Sequence, residues 1–153
     1  MVVAEDRLEG GDPLDLDRQV CFPLYAASNM LNRLYRPILG DLGLTYPQYL
    51  TMLVLWKDAP QTVRSIGDML HLDSGTLTPL LKRMEQSGLI SRTRDLDDER
   101  RVLIDLTAKG RELRSDAEKV PAILSAELGI DEASIAHLRS QVRDLVAVLK
   151  AHA

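Results

Sequence analysis

One thiol and four phenols are the side chains of this 153-residue chain best suited to redox chemistry. Cys21 is followed by Phe22 and Pro23. Tyr25 lies one helical turn on, and Tyr35, Tyr46 and Tyr49 fall in the next helical segments. A thiolate attacks peroxides and disulfides, and a phenol O–H can donate a hydrogen bond that stabilises it. The pattern places Cys21 near a helix start, where the positive end of the helix dipole favours the thiolate. Tyr25, at i+4, shares its helical face. Tyr35 is fourteen residues from Cys21, roughly 21 Å along a straight helix. It reaches its own Cys21 only by a sharp fold-back, so a Tyr35 serving a Cys21 is better supplied by a second subunit. A lone cysteine is more often a small buried hydrophobe, and that inert reading stands beside the reactive one. No second cysteine is present for an intrachain disulfide. His71, His137 and His152 are scattered, and no zinc or Ser-His-Asp spacing occurs.

A second chemistry lies between Ser74 and Thr107. Ser74, Thr76 and Thr78 are short donors and acceptors for base edges or phosphates, and Lys82 and Arg83 suit phosphate contact. Beyond Gly88 come two alternating runs, ISRTR and RVLIDL, joined by the charged loop DLDDER. Arg100 in that loop suits a minor groove, where the negative potential attracts guanidinium groups. Asp98, two residues earlier, is placed to hold it. Arg92, Arg94 and Arg101 add local positive charge. A charged hairpin by itself is usually only solvated. The ordered series of helix, turn, polar helix, glycine, strand, charged loop and strand points instead to DNA binding.

The surrounding periodicity supplies the frame. Residues 1–13 read as a mobile acidic tail. From Leu14 to about Leu39, apolar residues at Val20, Leu24, Ala27, Leu31 and Leu34 predict a helix, with Pro37 marking a bend or end. Thr45 with Gln48 forms a capping box for a helix over 47–57, apolar nearly all round. Thr62 caps VRSIGDML, and Asp73 or Ser74 caps GTLTPLLKRMEQS, which Pro79 bends or opens. Thr107 caps a long helix kinked at Pro121, and Asp131 caps the last one. The stripe Ile135, Leu138, Val142, Leu145, Val146 and Leu149 has no partner within so small a core and suits a second subunit. The fold class expected is mainly α with a small β-hairpin wing, a winged helix-turn-helix. Residues 45–110 form the DNA-binding region, and 14–44 with 111–153 form a helical dimerisation region.

Composition sets outer limits. Hydrophobic content of 45% supports a packed core, and with 4% aromatics that core must be largely aliphatic. No apolar run approaches the ~20 residues of a membrane span. The start of the chain lacks a signal-peptide pattern, so a cytoplasmic protein with no membrane partner is expected. The net charge of −4 argues at first against nucleic acid. Yet residues 1–17 carry one base against six acids, and the remainder carries 18 bases against 17 acids. Placement of bases matters more than their sum.

The segment DERRVLIDLTAKG, Asp98 to Gly110, resembles the wing motif of the MarR family of regulators. The words QVCFPLY, LYRPIL, LTYPQYL and LDSGTLTPLLKRMEQSGLI resemble its organic-hydroperoxide-resistance repressors, of the type with one cysteine. The resemblance runs from Asp15 to the C-terminus. It implies a homodimeric repressor joined through its first and last helices, bound to double-stranded operator DNA and without a cofactor. It implies that Cys21 is the peroxide-reactive thiol and that Tyr35 and Tyr46 bond the thiolate from the other subunit. Tyr25 then lies near the pocket, and Tyr49 belongs to the core. An organic hydroperoxide would oxidise Cys21 to sulfenic acid. Lacking a second cysteine, the product would react with a low-molecular-weight thiol or a backbone nitrogen, or over-oxidise. The resulting shift of the reading heads would release the operator. Two alternatives remain: a MarR-type repressor released by a phenolic or other non-oxidant ligand, with Cys21 structural, and a thiol peroxidase using Cys21, which would lack a resolving cysteine.

Overall fold

A computed structural model describes residues 12–152. The acidic tail expected over 1–13 lies outside them apart from Asp12 and Pro13. A 3-10 turn, Leu16–Arg18, leads into α1 (Cys21–Gly40). Then follow α2 (Tyr46–Lys57), β1 (Gln61–Thr62), α3 (Val63–Leu70), α4 (Ser74–Gln86), β2 (Ile90–Arg94) and β3 (Val102–Leu106). The chain ends with α5 (Ala108–Ala117), α6 (Val120–Leu128) and α7 (Glu132–Lys150).

Local cap chemistry sets most of these starts. The side chains of Thr62, Asp73, Thr107 and Asp131 accept from the amides of Ser65, Thr76, Gly110 and Ser134. Each satisfies an amide that the first helical turn leaves without a partner. At α2, the Thr45 amide donates to Gln48 Oε1 at 2.9 Å, one half of the expected capping box. Gly88, at φ 71°, follows the end of α4 in the left-handed region that glycine enters freely.

The structure differs from expectation at three places: the helix expected from Leu14 begins at Cys21, after the 3-10 turn, and the other two lie in the wing and after Thr107. The sheet has three strands, in the order β1-β3-β2, because Gln61 and Thr62 pair with Ile104 and Leu103. The wing is therefore braced against the start of α3. The long helix after Thr107 is divided at Glu118–Lys119 into α5 and α6, with Pro121 in the first turn of α6. Proline lacks the amide that would bond the Ala117 carbonyl, and its ring crowds that carbonyl, so the break falls one turn upstream. Pro37 and Pro79, by contrast, lie inside α1 and α4 without ending them.

The core gathers Met52 and Leu55 of α2, Ile66 of α3, Leu77, Leu81 and Met84 of α4, and Ile104 of β3, all at most 1% exposed. Burying aliphatic side chains of this size contributes about 1.5–3 kcal/mol each, so this cluster fixes α4 against the sheet. No residue of α7 is buried. Leu138, Val142 and Leu149 are exposed there, as are Phe22, Leu24, Met30 and Leu31 on α1.

Candidate DNA-binding cleft and thiol site

An open cleft of about 920 Å³ runs between α3, α4 and the wing. Ser74 and Thr78 line it from α4, Arg92 from β2, and Asp98 and Arg100 from the hairpin loop. Leu77, Leu80, Leu81 and Met84 anchor the opposite face of α4 in the core. The polar face is thus held outward by packing.

Within the cleft the expected residues divide. Asp98 holds Arg100 as anticipated: its Oδ1 accepts from the Arg100 amide at 3.1 Å and from Arg100 Nε at 3.2 Å. The Arg100 side chain is nevertheless 93% exposed, so the guanidinium is aimed without being buried. Thr76 is committed elsewhere. Its amide and hydroxyl both donate to the Asp73 carboxylate, at 2.8 and 3.0 Å. Those bonds, the backbone one first, hold the Asp73 carboxyl below its usual range. Arg92 leans toward Glu85 on α4 at 3.8 Å, and its Nε is buried without a hydrogen bond to any described residue. Lys82, Arg83 and Arg94 are exposed but do not line the cleft. Arg101, for its part, pairs with Asp95 at 3.5 Å.

Of the arginines that line the cleft, one lies outside the expected set. Arg64 projects from α3 with its side chain 92% exposed, tied only loosely to Asp68 at 3.9 Å. The available signal was its position opposite Ile66 on an amphipathic helix beside the turn.

Replacing Arg100 by Ala is expected to weaken operator binding about fivefold and to lower the salt slope of log K by about 1. Titration at several salt concentrations checks this. An unchanged slope would place Arg100 away from the backbone charge.

At the other site, Cys21 is exposed and is the first residue of α1. Val20 precedes it and supplies no capping side chain; the Phe22 amide in the first turn donates instead to the Gln19 carbonyl at 3.1 Å. Tyr25 is exposed one turn on. Tyr35 and Tyr46 pack ring on ring, with centroids 4.5 Å apart, and Tyr49 stands 6.1 Å from Tyr35. Tyr49 is 4% exposed, as expected of a core residue. Since α1 continues unbroken from Cys21 to Gly40, Tyr35 lies about 21 Å from the thiol of its own chain. Within one chain the structure does not bring Cys21 to the Tyr35–Tyr46 pair.

Burial, and then the neighbouring Tyr46 and Tyr49, pushes the Tyr35 hydroxyl up from 10.0 to about 12. Burial also raises Tyr46 and Tyr49. All three therefore remain protonated donors at neutral pH. Because the folded-state value of Tyr35 is raised, its contribution to stability is fully present below pH 10 and is lost as pH rises toward about 12. Denaturant midpoints measured between those limits should fall for the wild type and fall less for Tyr35→Phe. Parallel curves would refute the burial effect.

A polar helix seated on a helix-turn scaffold, with a braced hairpin carrying an aimed arginine, defines a winged-helix DNA-binding regulator. Residues 33–117 match the family profile described as transcriptional regulator SarA/Rot. The chain is 45% identical over 139 residues to the organic hydroperoxide resistance transcriptional regulator of Bacillus subtilis, covering 91% of this chain and 92% of that one. Among solved structures it is similar to reduced AbfR bound to DNA, with a TM-score of 0.74, 34% identity, and 88% and 94% of the two chains covered. It is also similar to over-oxidised AbfR bound to DNA, at a TM-score of 0.69 and 38% identity, covering 85% and 94%. AbfR comes from Staphylococcus epidermidis. The chain belongs to the MarR-type transcriptional regulators, in the group of the organic hydroperoxide resistance regulators.

Proposed function

We propose that this protein is a homodimeric repressor that holds operator DNA while Cys21 is reduced and releases it when an organic hydroperoxide oxidises Cys21. One observation carries the reading. An exposed thiol stands at the first residue of α1, while Tyr35, fourteen residues along that continuous helix, packs on Tyr46 of α2, so thiol and phenols form a site only between two chains. The exposed apolar faces of α1 and α7 are the natural seam, with 14–44 and 111–153 joining the subunits and 45–110 reading DNA.

In this site Tyr35 and Tyr46 of one subunit donate to the Cys21 thiolate of the other, and Tyr25 flanks it. The sulfur attacks a peroxide oxygen and the O–O bond breaks. The alkoxide leaves and takes up a proton, so that Cys21 becomes sulfenic acid as the hydroperoxide becomes an alcohol. A low-molecular-weight thiol then forms a mixed disulfide with loss of water. The over-oxidised form of AbfR was solved on DNA, which favours the bulkier disulfide as the releasing species here. Phe22 and Leu24 give the entrance an apolar character suited to organic peroxides.

Ser74, Thr78, Lys82, Arg83, Arg94 and Arg100 meet the DNA, joined by Arg64, while Thr76 and Arg92 shape the helix that does so. Spacing of the two heads must match about one DNA turn, ~34 Å, so a small shift between subunits is enough for release. The protein acts as a regulator of the cytoplasm and not as a catalyst, since its thiol is consumed once per signal. No helix of the described residues is long and apolar enough to cross a membrane.

The test uses an operator duplex selected by the reduced protein from random-sequence DNA. Cumene hydroperoxide with a small thiol should release the wild type, with one added thiol adduct on Cys21 by mass spectrometry. Cys21→Ser should stay bound. Release of the Ser variant would overturn the assignment, and sustained peroxide consumption in excess thiol would show an enzyme instead.

A further inference from the structure

The phenol pair and the DNA cleft lie on different elements, and a continuous set of contacts joins them. Tyr35 touches Tyr46, and Tyr49 stands 6.1 Å from Tyr35. Tyr49 in turn meets Trp56, seven residues along the same helix, edge to face at 6.5 Å. The Trp56 indole Nε1–H crosses from α2 to α5 and donates to the Gly110 carbonyl at 2.8 Å. Gly110 is packed against the backbone of Leu89, leaving no room there for a side chain. Thr107, three residues before Gly110, donates from its hydroxyl to the carbonyls of Gly88 and Leu89 at 2.6 and 3.1 Å. Gly88 and Leu89 lie in the short link between the end of α4 and the start of β2.

We propose that Trp56 is a positioning residue that couples the phenol pair to the end of the recognition helix α4. The inference rests on the function proposed above. A shift of Tyr35 and Tyr46 on oxidation presses on Tyr49, which is buried and cannot yield independently in a close-packed interior. Trp56 converts that pressure into movement of Gly110, because its ring packs on Tyr49 while its N–H holds the α5 backbone. Gly110 and Thr107 together hold the joint between α4 and the wing, so both DNA-contacting elements move with them. Trp56 touches neither the thiol nor the cleft, and its role lies in coupling the two.

Trp56→Phe keeps an aromatic ring and removes the N–H. Operator Kd is measured for the reduced dimer and for the dimer fully converted to the Cys21 mixed disulfide, as verified by mass spectrometry. The expected outcome is a reduced-state Kd within about twofold of wild type and an unchanged rate of Cys21 oxidation. The ratio of oxidised to reduced Kd should shrink about tenfold, within the usual range of allosteric coupling. Trp56 is the only tryptophan in the sequence, so its emission in the wild-type protein should change on oxidation and stay constant in Cys21→Ser. An unchanged Kd ratio, an unchanged emission, or an equal loss of affinity in the reduced state would each overturn the proposal. Wild-type protein that keeps its DNA after full oxidation would overturn the proposed function together with it. A wild type that releases beside an unchanged ratio in Trp56→Phe would remove this coupling alone.

Discussion

Replacing Gly110 by Ala is expected to destabilise the folded protein by about 3 kcal/mol, at the upper end of what overpacking costs. A β-carbon at this position would overlap the Leu89 carbonyl oxygen and stand 3.3 Å from Leu106 Cδ2. The oxygen cannot retreat cheaply. It also accepts from the Thr107 amide at 3.2 Å and from the Thr107 hydroxyl at 3.1 Å. Making room means lifting α5 from the start of β2, which strains those bonds and the Trp56 bond to the Gly110 carbonyl. For a chain of this size, 3 kcal/mol lowers the melting temperature by roughly 6–12 °C. Thr107→Val, which removes only the hydroxyl bonds and the helix cap, should cost about 1 kcal/mol. Calorimetry on the reduced protein checks both. A Gly110→Ala variant melting within about 2 °C of wild type would show that α5 sits less tightly than this contact requires.

Gly110 also illustrates which parts of the fold can be read along the chain. The run from Asp98 to Gly110 stands out as a motif, and its cap, Thr107, can be assigned because cap chemistry involves residues only three apart. The same holds for Thr62 and Asp131, while Asp73 is chosen over Ser74 only by where α4 begins. Why residue 110 must be glycine is not local, since the atom it avoids belongs to Leu89. The two residues of β1 carry no periodicity of their own, and their pairing with Leu103 and Ile104 spans more than forty residues. Pro121 marks a disturbance in the helix after Thr107, but a proline alone is compatible with either a kink or the full break found at Glu118–Lys119. In the cleft, hydroxyl and guanidinium residues are easy to nominate and harder to aim. Thr76 spends its hydroxyl on Asp73, and Arg92 leans to Glu85, choices made by rotamers and neighbours. Arg64 escaped notice because one arginine on a short helix looks like ordinary solvated surface.

The separation of thiol and phenols leads to the prediction that decides how the sensor is assembled. The double variant Tyr35→Phe, Tyr46→Phe should react with cumene hydroperoxide about tenfold more slowly at Cys21 than wild type. Hydrogen bonds to a charged group contribute about 1.5–3 kcal/mol each and do not add fully. Losing the pair would leave the reacting sulfur anion without its two donors, and a tenfold loss of rate corresponds to about 1.4 kcal/mol, close to the lower bound for one such bond. A heterodimer then separates the two geometries. One subunit carries Tyr35→Phe and Tyr46→Phe with Cys21 intact, and its partner carries Cys21→Ser with both tyrosines intact. Only one thiol remains, so its rate reports a single site. If each site is built across the dimer, that thiol faces intact tyrosines and regains the wild-type rate. If α1 folded back and each chain served itself, the thiol would face two phenylalanines and stay slow. The continuous helix from Cys21 to Gly40 requires the first result; a heterodimer as slow as the double-Phe homodimer would mean that α1 does not persist in solution as a straight helix, and the proposed intersubunit site would fall with it.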